Sequence, residues 1–207
     1  MGPNLVIFAV AAFVLIVTPG PNFFYVLTRA ATQGRRAGVV AACGLGAGVV
    51  VHTTLATLGI AAVVRSSYLA FRAIKYGGSL YLIVLGIKAA RNRPAIPENS
   101  LAMRDKDSRV LWQSIVASLT NPKTILFFLS FLPQFVSGPA SSASRQMLTL
   151  GGIYTLLTML VYSVLACLAG SATRWLRQSR ARANRLRWLA ASSFIGLGVW
   201  AALPDRQ

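Results

Sequence analysis

The stretch "LIVTPGPNFFYVL", residues 15–27, decides how this chain folds. Apolar residues precede it from Leu5 onward, so the surroundings read as one long helix. Yet Pro19, Gly20 and Pro21 stand in a row inside it, flanked by Thr18 and Asn22. A proline within a helix removes a hydrogen bond and clashes with the preceding turn, at a cost of about 3 kcal/mol. A break of this kind needs a reason, because the rest of the composition places it where water is scarce.

Of the 207 residues, 55% are hydrophobic and only 12% charged, with a mean hydropathy of +0.60. A soluble domain cannot hide that much apolar surface behind so few charges. A spanning helix needs about 20 predominantly apolar residues. Six stretches qualify: Asn4–Leu27, Gly38–Val64, Tyr68–Ala90, Leu111–Val136, Met147–Gly170 and Trp188–Leu203. The chain is expected to be a single all-α transmembrane domain over residues 1–207. Its first span has no basic residue before Arg29 and no clean small-residue cleavage site after it, so it reads as a retained helix rather than a signal peptide.

The formal net charge of +17 does not point to nucleic acid, because its distribution alternates. Arg29, Arg35 and Arg36 follow span one. Arg91, Arg93, Arg104, Lys106 and Arg109 follow span three, and six arginines from Arg174 to Arg187 follow span five. Only Arg65 and Arg145 mark the alternate connections, while Arg72 and Lys75 blur the outer edge of span three. Such a bias places the basic connections in the cytoplasm and both termini outside. Cys43 and Cys167 lie far apart within apolar spans and are expected to pack, forming neither a disulfide framework nor a metal site.

The polar connection over about 91–110 splits the chain into repeat one, about 4–90, and repeat two, about 111–203. The break recurs in the second half as Thr120, Asn121, Pro122 and Lys123, with Pro122 lying 101 positions after Pro21. "YLIVLGIKAA" from Tyr81 and "SFIGLGVWAA" from Ser193 match loosely as well. Three spans per half force opposite orientations, which makes an inverted repeat of six helices with helices one and four broken. That is a design common in secondary transporters.

Proline suits the first position of a helix, so Pro21 and Pro122 are each expected to start a half-helix, with Gly20 and Asn121 as N-caps. The first-turn N–H groups of Asn22 and Phe23, and of Lys123 and Thr124, would then be free to meet an anion. Irregular backbone at membrane depth is tolerated where it is buried in protein or lines a wet cavity. A bound carboxylate would also offset the unfavourable position of Lys123 near a helix start.

His52, the only histidine, shares a helix face with Gly44 and Gly48 and is expected to face the bundle. It has two readings: a proton carrier titrating near neutrality, or a neutral packing residue held by a hydrogen bond. Thr155, Thr158 and Tyr162 fall on one face of span five and could line a polar path, although bonds to their own helix explain the threonines equally well. All four acids, Glu98, Asp105, Asp107 and Asp205, lie in loops or the tail. Paired-carboxylate chemistry within the membrane is therefore excluded, and nothing points to an enzyme, a cofactor or a metal.

"TPGPN" at 18–22, "HTTLATLGI" at 52–60, "YGGSLYLIVLGIKAAR" at 76–91 and "LTNPKTILFFLSFLPQFV" at 119–136 together resemble the LysE/RhtB family of bacterial amino-acid exporters. The resemblance covers essentially the whole chain. It implies six transmembrane helices in the bacterial inner membrane and proton-driven efflux of an amino acid. It also implies a transport site at Pro19, Gly20, Pro21, Asn22, Asn121, Pro122 and Lys123, to which Thr18 and Thr120 are neighbours in the two motifs. The lysine-exporting branch carries intramembrane acids, and this chain has none, so a zwitterionic substrate of the threonine, homoserine or leucine type is expected. The expected partners are an amino acid, a proton and the lipid bilayer, with a homodimer left open. An exporter of another small solute, or a non-transporting membrane subunit, are the alternatives.

Overall fold

The computed structural model describes residues 2–66, 105–136 and 140–177 without interruption, together with single helical positions within 76–91 and 184–202. No strand occurs among the described residues. The first span is two helices, α1 (Gly2–Val17) and α2 (Pro21–Gln33), bent by 55° at the Thr18–Gly20 break. A one-residue turn at Gly34, whose φ of 95° lies in the left-handed region that favours glycine, leads into α3 (Arg35–Ser66).

The fourth span is broken in the same way. Helix α4 (Asp107–Leu119) is followed by α5 (Pro122–Leu126), a π turn (Phe127–Phe131) and a 3₁₀ turn (Leu132–Phe135), with a 49° bend at the break. A long helix, α6 (Ala140–Arg177), is the last element described without interruption. Spans three and six lie largely outside the described residues, as does Lys75. The two segments nevertheless touch: a Cβ on Gly86 would fall 2.6 Å from Ile195 Cγ1 and 2.8 Å from the Ala191 carbonyl.

Two details lie beyond what the span boundaries give. The fourth span is not a plain helix after its break, because Pro133 has no N–H to return to the Leu129 carbonyl. The ladder widens one turn earlier, where the Leu132 N–H donates to the Phe127 carbonyl. Helices α3 and α6 also overrun their apolar cores. Their 32 and 38 residues reach about 48 and 57 Å at 1.5 Å per residue, beyond the roughly 30 Å of hydrocarbon.

Helix directions follow from the contacts. Along α3, Gly38, Gly46 and Gly151's partner Thr53 meet Ala166, Met159 and Gly151 of α6, so these two helices are antiparallel. Gly44 and Gly48 meet Ser114 and Ser118 of α4 in the same order, so α3 and α4 are parallel. Small residues make both approaches close. The broken helices run antiparallel to each other: Thr18 lies beside Lys123, Phe8 beside Phe127 and Phe135, and Arg29 beside Asp105 and Gln113.

Phe8, Phe127, Phe131, Phe135 and Tyr154 form one buried aromatic cluster that ties α1 and α6 to the π turn. Away from it, Val10, Phe13, Leu55, Leu58, Leu156, Leu160 and Leu168 point outward. Exposed apolar stripes on helices long and apolar enough to cross a bilayer are lipid-facing surfaces. Cys167 belongs to that outer surface rather than to the packing expected of it, and Cys43 is half-buried.

A Cβ at Gly48 would lie 2.4 Å from Ser118 Cβ and 3.1 Å from the Ile115 carbonyl, whereas one at Gly59 meets nothing within 4 Å. Gly48→Ala is therefore expected to destabilise the purified protein by about 1–3 kcal/mol through overpacking. Gly59→Ala should be neutral or slightly stabilising, as helix propensity favours alanine. Thermal unfolding of the two variants in detergent checks the contrast.

Candidate functional site

The two breaks meet. The Lys123 ammonium donates to the Thr18 carbonyl at 2.8 Å, across 105 positions of sequence. Lys123 is buried, and its side chain lies against Gly20, where a Cβ would sit 3.5 Å from Cδ and 3.6 Å from Nζ. In an unbroken helix the Thr18 carbonyl would accept from the Asn22 N–H. The bend separates that pair, and the ammonium takes the carbonyl at the negative end of α1, a favourable position for a cation. Lys123, poorly placed at the start of its own helix, is thus well placed at the end of another.

The expected N-caps are both present, but they differ in what they leave free. Asn121 Oδ1 accepts from the Lys123 N–H at 3.1 Å, and the Asn121 carbonyl accepts from the Thr124 N–H at 3.0 Å. The donors expected to be free in the second half are therefore occupied by Asn121 itself. Gly20 has no side chain to do the same, and its carbonyl accepts only further along, from the Phe24 N–H at 3.0 Å. The N–H groups of Asn22 and Phe23 at the start of α2 thus receive no side-chain cap.

Freed carbonyls on both sides of the junction are found by side chains. Pro122 cannot donate to the Ser118 carbonyl, and His52 Nε2 lies 3.1 Å from that oxygen. Because a carbonyl only accepts, Nε2 carries the proton there. The Asn121 N–H shares the same acceptor at 3.2 Å, and His52 stacks on Phe128 at 5.6 Å between centroids. The Ile16 carbonyl, freed by the turn at Gly20, accepts from the Tyr162 hydroxyl at 3.3 Å. His52 is buried and faces the bundle, as its helix face implied.

Of the motif residues, Thr18, Asn22, Asn121 and Lys123 are buried at the junction, with Pro19 and Gly20 half-buried beside them. Pro21 and Pro122 begin their helices with exposed rings. Thr120 is not brought in: it is exposed, and its hydroxyl donates to the Val116 carbonyl of its own helix. Thr155 likewise bonds its own helix at the Gly151 carbonyl, whereas the buried Thr158 hydroxyl has no partner.

A second polar cluster lies at the end of the bundle expected to face the cytoplasm. Arg29 Nη1 sits 2.6 Å from Asp105, its other nitrogen donates to Gln113, and its guanidinium lies 5.3 Å from the Tyr25 ring centroid. Gln33 and Arg109 also reach Asp105, and Arg36 pairs with Asp107 at 2.7 Å. These contacts join α2 and the start of α3 to the start of α4. The sequence signal was two aspartates among the basic residues 104–109, which hydropathy alone does not match to partners more than 70 positions away.

Residues 13–204 match the family model described as LysE type translocator. A leucine efflux protein of Enterobacter sp. (strain 638) is 32% identical over 198 residues, covering 95% of this chain and 93% of that protein. A homoserine/homoserine lactone efflux protein of Salmonella typhimurium is 32% identical over 163 residues, 79% of each chain. An uncharacterized membrane protein of Vibrio cholerae is 30% identical over 195 residues, 94% of each. No solved structure gives a significant match.

The hydrogen bond from Arg29 holds the Asp105 carboxyl below its ordinary value, with Gln33 and Arg109 acting in the same direction. A carboxyl depressed on folding adds stability above its unfolded pKa of about 3.9 and loses it as pH falls through the folded value. Asp105→Asn should therefore lower the unfolding temperature at pH 7, and the gap from wild type should close on acidification below pH 4. A gap that persists in acid would assign the effect to packing instead.

Proposed function

The chain belongs to the LysE type translocator family, and we propose that it exports small zwitterionic amino acids of the leucine, homoserine or threonine type across the bacterial inner membrane. The observation that carries this reading is the buried Lys123 ammonium at the junction of the two broken helices, beside the uncapped start of α2. A substrate carboxylate would meet the ammonium together with the Asn22 and Phe23 N–H groups, a combination of charge and bare donors suited to an anion. The relatives named for leucine and homoserine efflux support the substrate class. So does the absence of any acid from the six spans read in the sequence, which disfavours a cationic side chain.

Transport proceeds by alternating access, with one three-helix repeat rocking against the other around this site. The antiparallel course of the two broken helices supports an inverted repeat. The parallel course of α3 and α4 supports a third span between them, since the chain must return before α4 can begin in the same direction as α3. Carboxylate binding competes for the ammonium that holds the Thr18 carbonyl and loosens the tie between the two halves. His52 serves as the proton carrier: its Nε2 bonds the carbonyl freed by Pro122, so its charge state acts directly on the second break. Inward proton flow then drives outward amino-acid flow, with both termini outside.

The test is efflux from reconstituted proteoliposomes loaded with leucine, homoserine, threonine or lysine, with and without an acidic exterior. Neutral amino acids should leave, faster under the gradient, and lysine should not. Lys123→Gln should weaken substrate affinity about tenfold or more, the range for losing a charged hydrogen bond. His52→Gln should flatten the pH dependence. Equal efflux of lysine would overturn the substrate class, and indifference to the gradient would make the protein a facilitator.

A further inference from the structure

Two buried acceptors near the junction are left over once the carboxylate site is built. Asn22 Oδ1 and Thr158 Oγ1 have no hydrogen-bond partner, although their residues are only 6% and 2% exposed. The Tyr25 hydroxyl is a third such atom, but it lies further along α2, toward Arg29. Buried polar atoms are rarely left unpaired, and those that are commonly await a water or a ligand.

The contacts of neighbouring residues relate both atoms to the breaks. Asn22 is the second residue of α2, two positions after the Gly20 that abuts Lys123. Thr158 lies one helical turn from Tyr154 and one from Tyr162 on the buried face of α6. Tyr162 bonds the Ile16 carbonyl, two residues before the carbonyl that holds Lys123, and Tyr154 packs on Phe127, one turn beyond Lys123. Thr158 is therefore bracketed by contacts to the end of α1 and to the π turn that follows α5.

Resting on the amino-acid reading above, we propose that Asn22 Oδ1 and Thr158 Oγ1 form the subsite for the substrate's α-ammonium. An ammonium has three donors and no acceptor, and these are two unpaired acceptors in a buried setting. Of the backbone carbonyls that the breaks free, those of Ile16 and Ser118 already accept from Tyr162 and His52. A site with dedicated acceptors for N–H donors discriminates strongly against an analogue that lacks them. The pair would thus make the transporter specific for 2-amino acids over the corresponding 2-hydroxy acids.

The experiment measures leucine exchange in proteoliposomes of the full chain, with 2-hydroxyisocaproate as competitor. Wild type should prefer leucine strongly. Thr158→Val and Asn22→Leu should each raise the KM for leucine about tenfold while leaving inhibition by the hydroxy acid nearly unchanged, so that the preference collapses; Thr158→Ser should restore it. Lys123→Gln should instead weaken both ligands. Unchanged leucine KM in Thr158→Val, or equal loss of both ligands, would overturn the subsite and assign these oxygens to water or packing. If either variant fails to assemble, normal discrimination in the milder Asn22→Ala and Thr158→Ala would be equally decisive against it. Wild type that exchanges no amino acid would bring down the functional reading itself, a result distinct from all of these.

Discussion

The bond between the Lys123 ammonium and the Thr18 carbonyl is the contact on which the arrangement turns. Bending a helix inside a membrane strands an acceptor on one arm and a donor on the other, and neither can turn to water. At the first break the stranded acceptor goes to a lysine from the other half of the chain, while the stranded donors at the start of α2 receive no side-chain cap. The break is therefore asymmetric in its chemistry. At its negative end the Thr18 carbonyl meets Lys123, and at its positive end α2 starts without a side-chain cap, where the proposed ligand would bind.

The same rule of replacement recurs around it. The carbonyl that Pro122 cannot serve is met by His52, and the Ile16 carbonyl is met by Tyr162. Both donors come from other helices, so the freed backbone groups become the ties that hold α3 and α6 to the breaks. A continuous path of bonds runs from His52 through the Ser118 carbonyl to the Asn121 N–H, then from the Asn121 side chain to Lys123 and on to Thr18. In the proposed mechanism, a change of charge at His52 or Lys123 would act on the junction along this path. Further along, the Arg29–Asp105 cluster ties the same two broken helices together at the opposite end of α2.

Much of this was legible in the sequence because prolines and polar residues in apolar spans have few uses. The breaks at Pro21 and Pro122, their N-caps, and the inward face of His52 with Gly44 and Gly48 could all be read from residue type and spacing. What could not be read was pairing between distant positions. Asn121 looked like a cap, but that its side chain would occupy the Lys123 donor depended on a rotamer. Ser114 and Ser118 are the small residues of α4 that receive Gly44 and Gly48, a spacing of four visible in the sequence yet meaningless without its partner. The π turn at Phe127–Phe131 was signalled by Pro133, whose effect appears a full turn upstream of the residue that causes it.

The proposed site requires recognition of a carboxylate at the junction. Binding of L-leucine and of leucinamide, which keeps the ammonium and side chain but lacks the carboxylate, to the purified protein by calorimetry tests this most directly. Leucine should bind at least about tenfold more tightly than leucinamide, as expected for a charge-assisted contact. Equal affinities would contradict a carboxylate site at Lys123 and the start of α2.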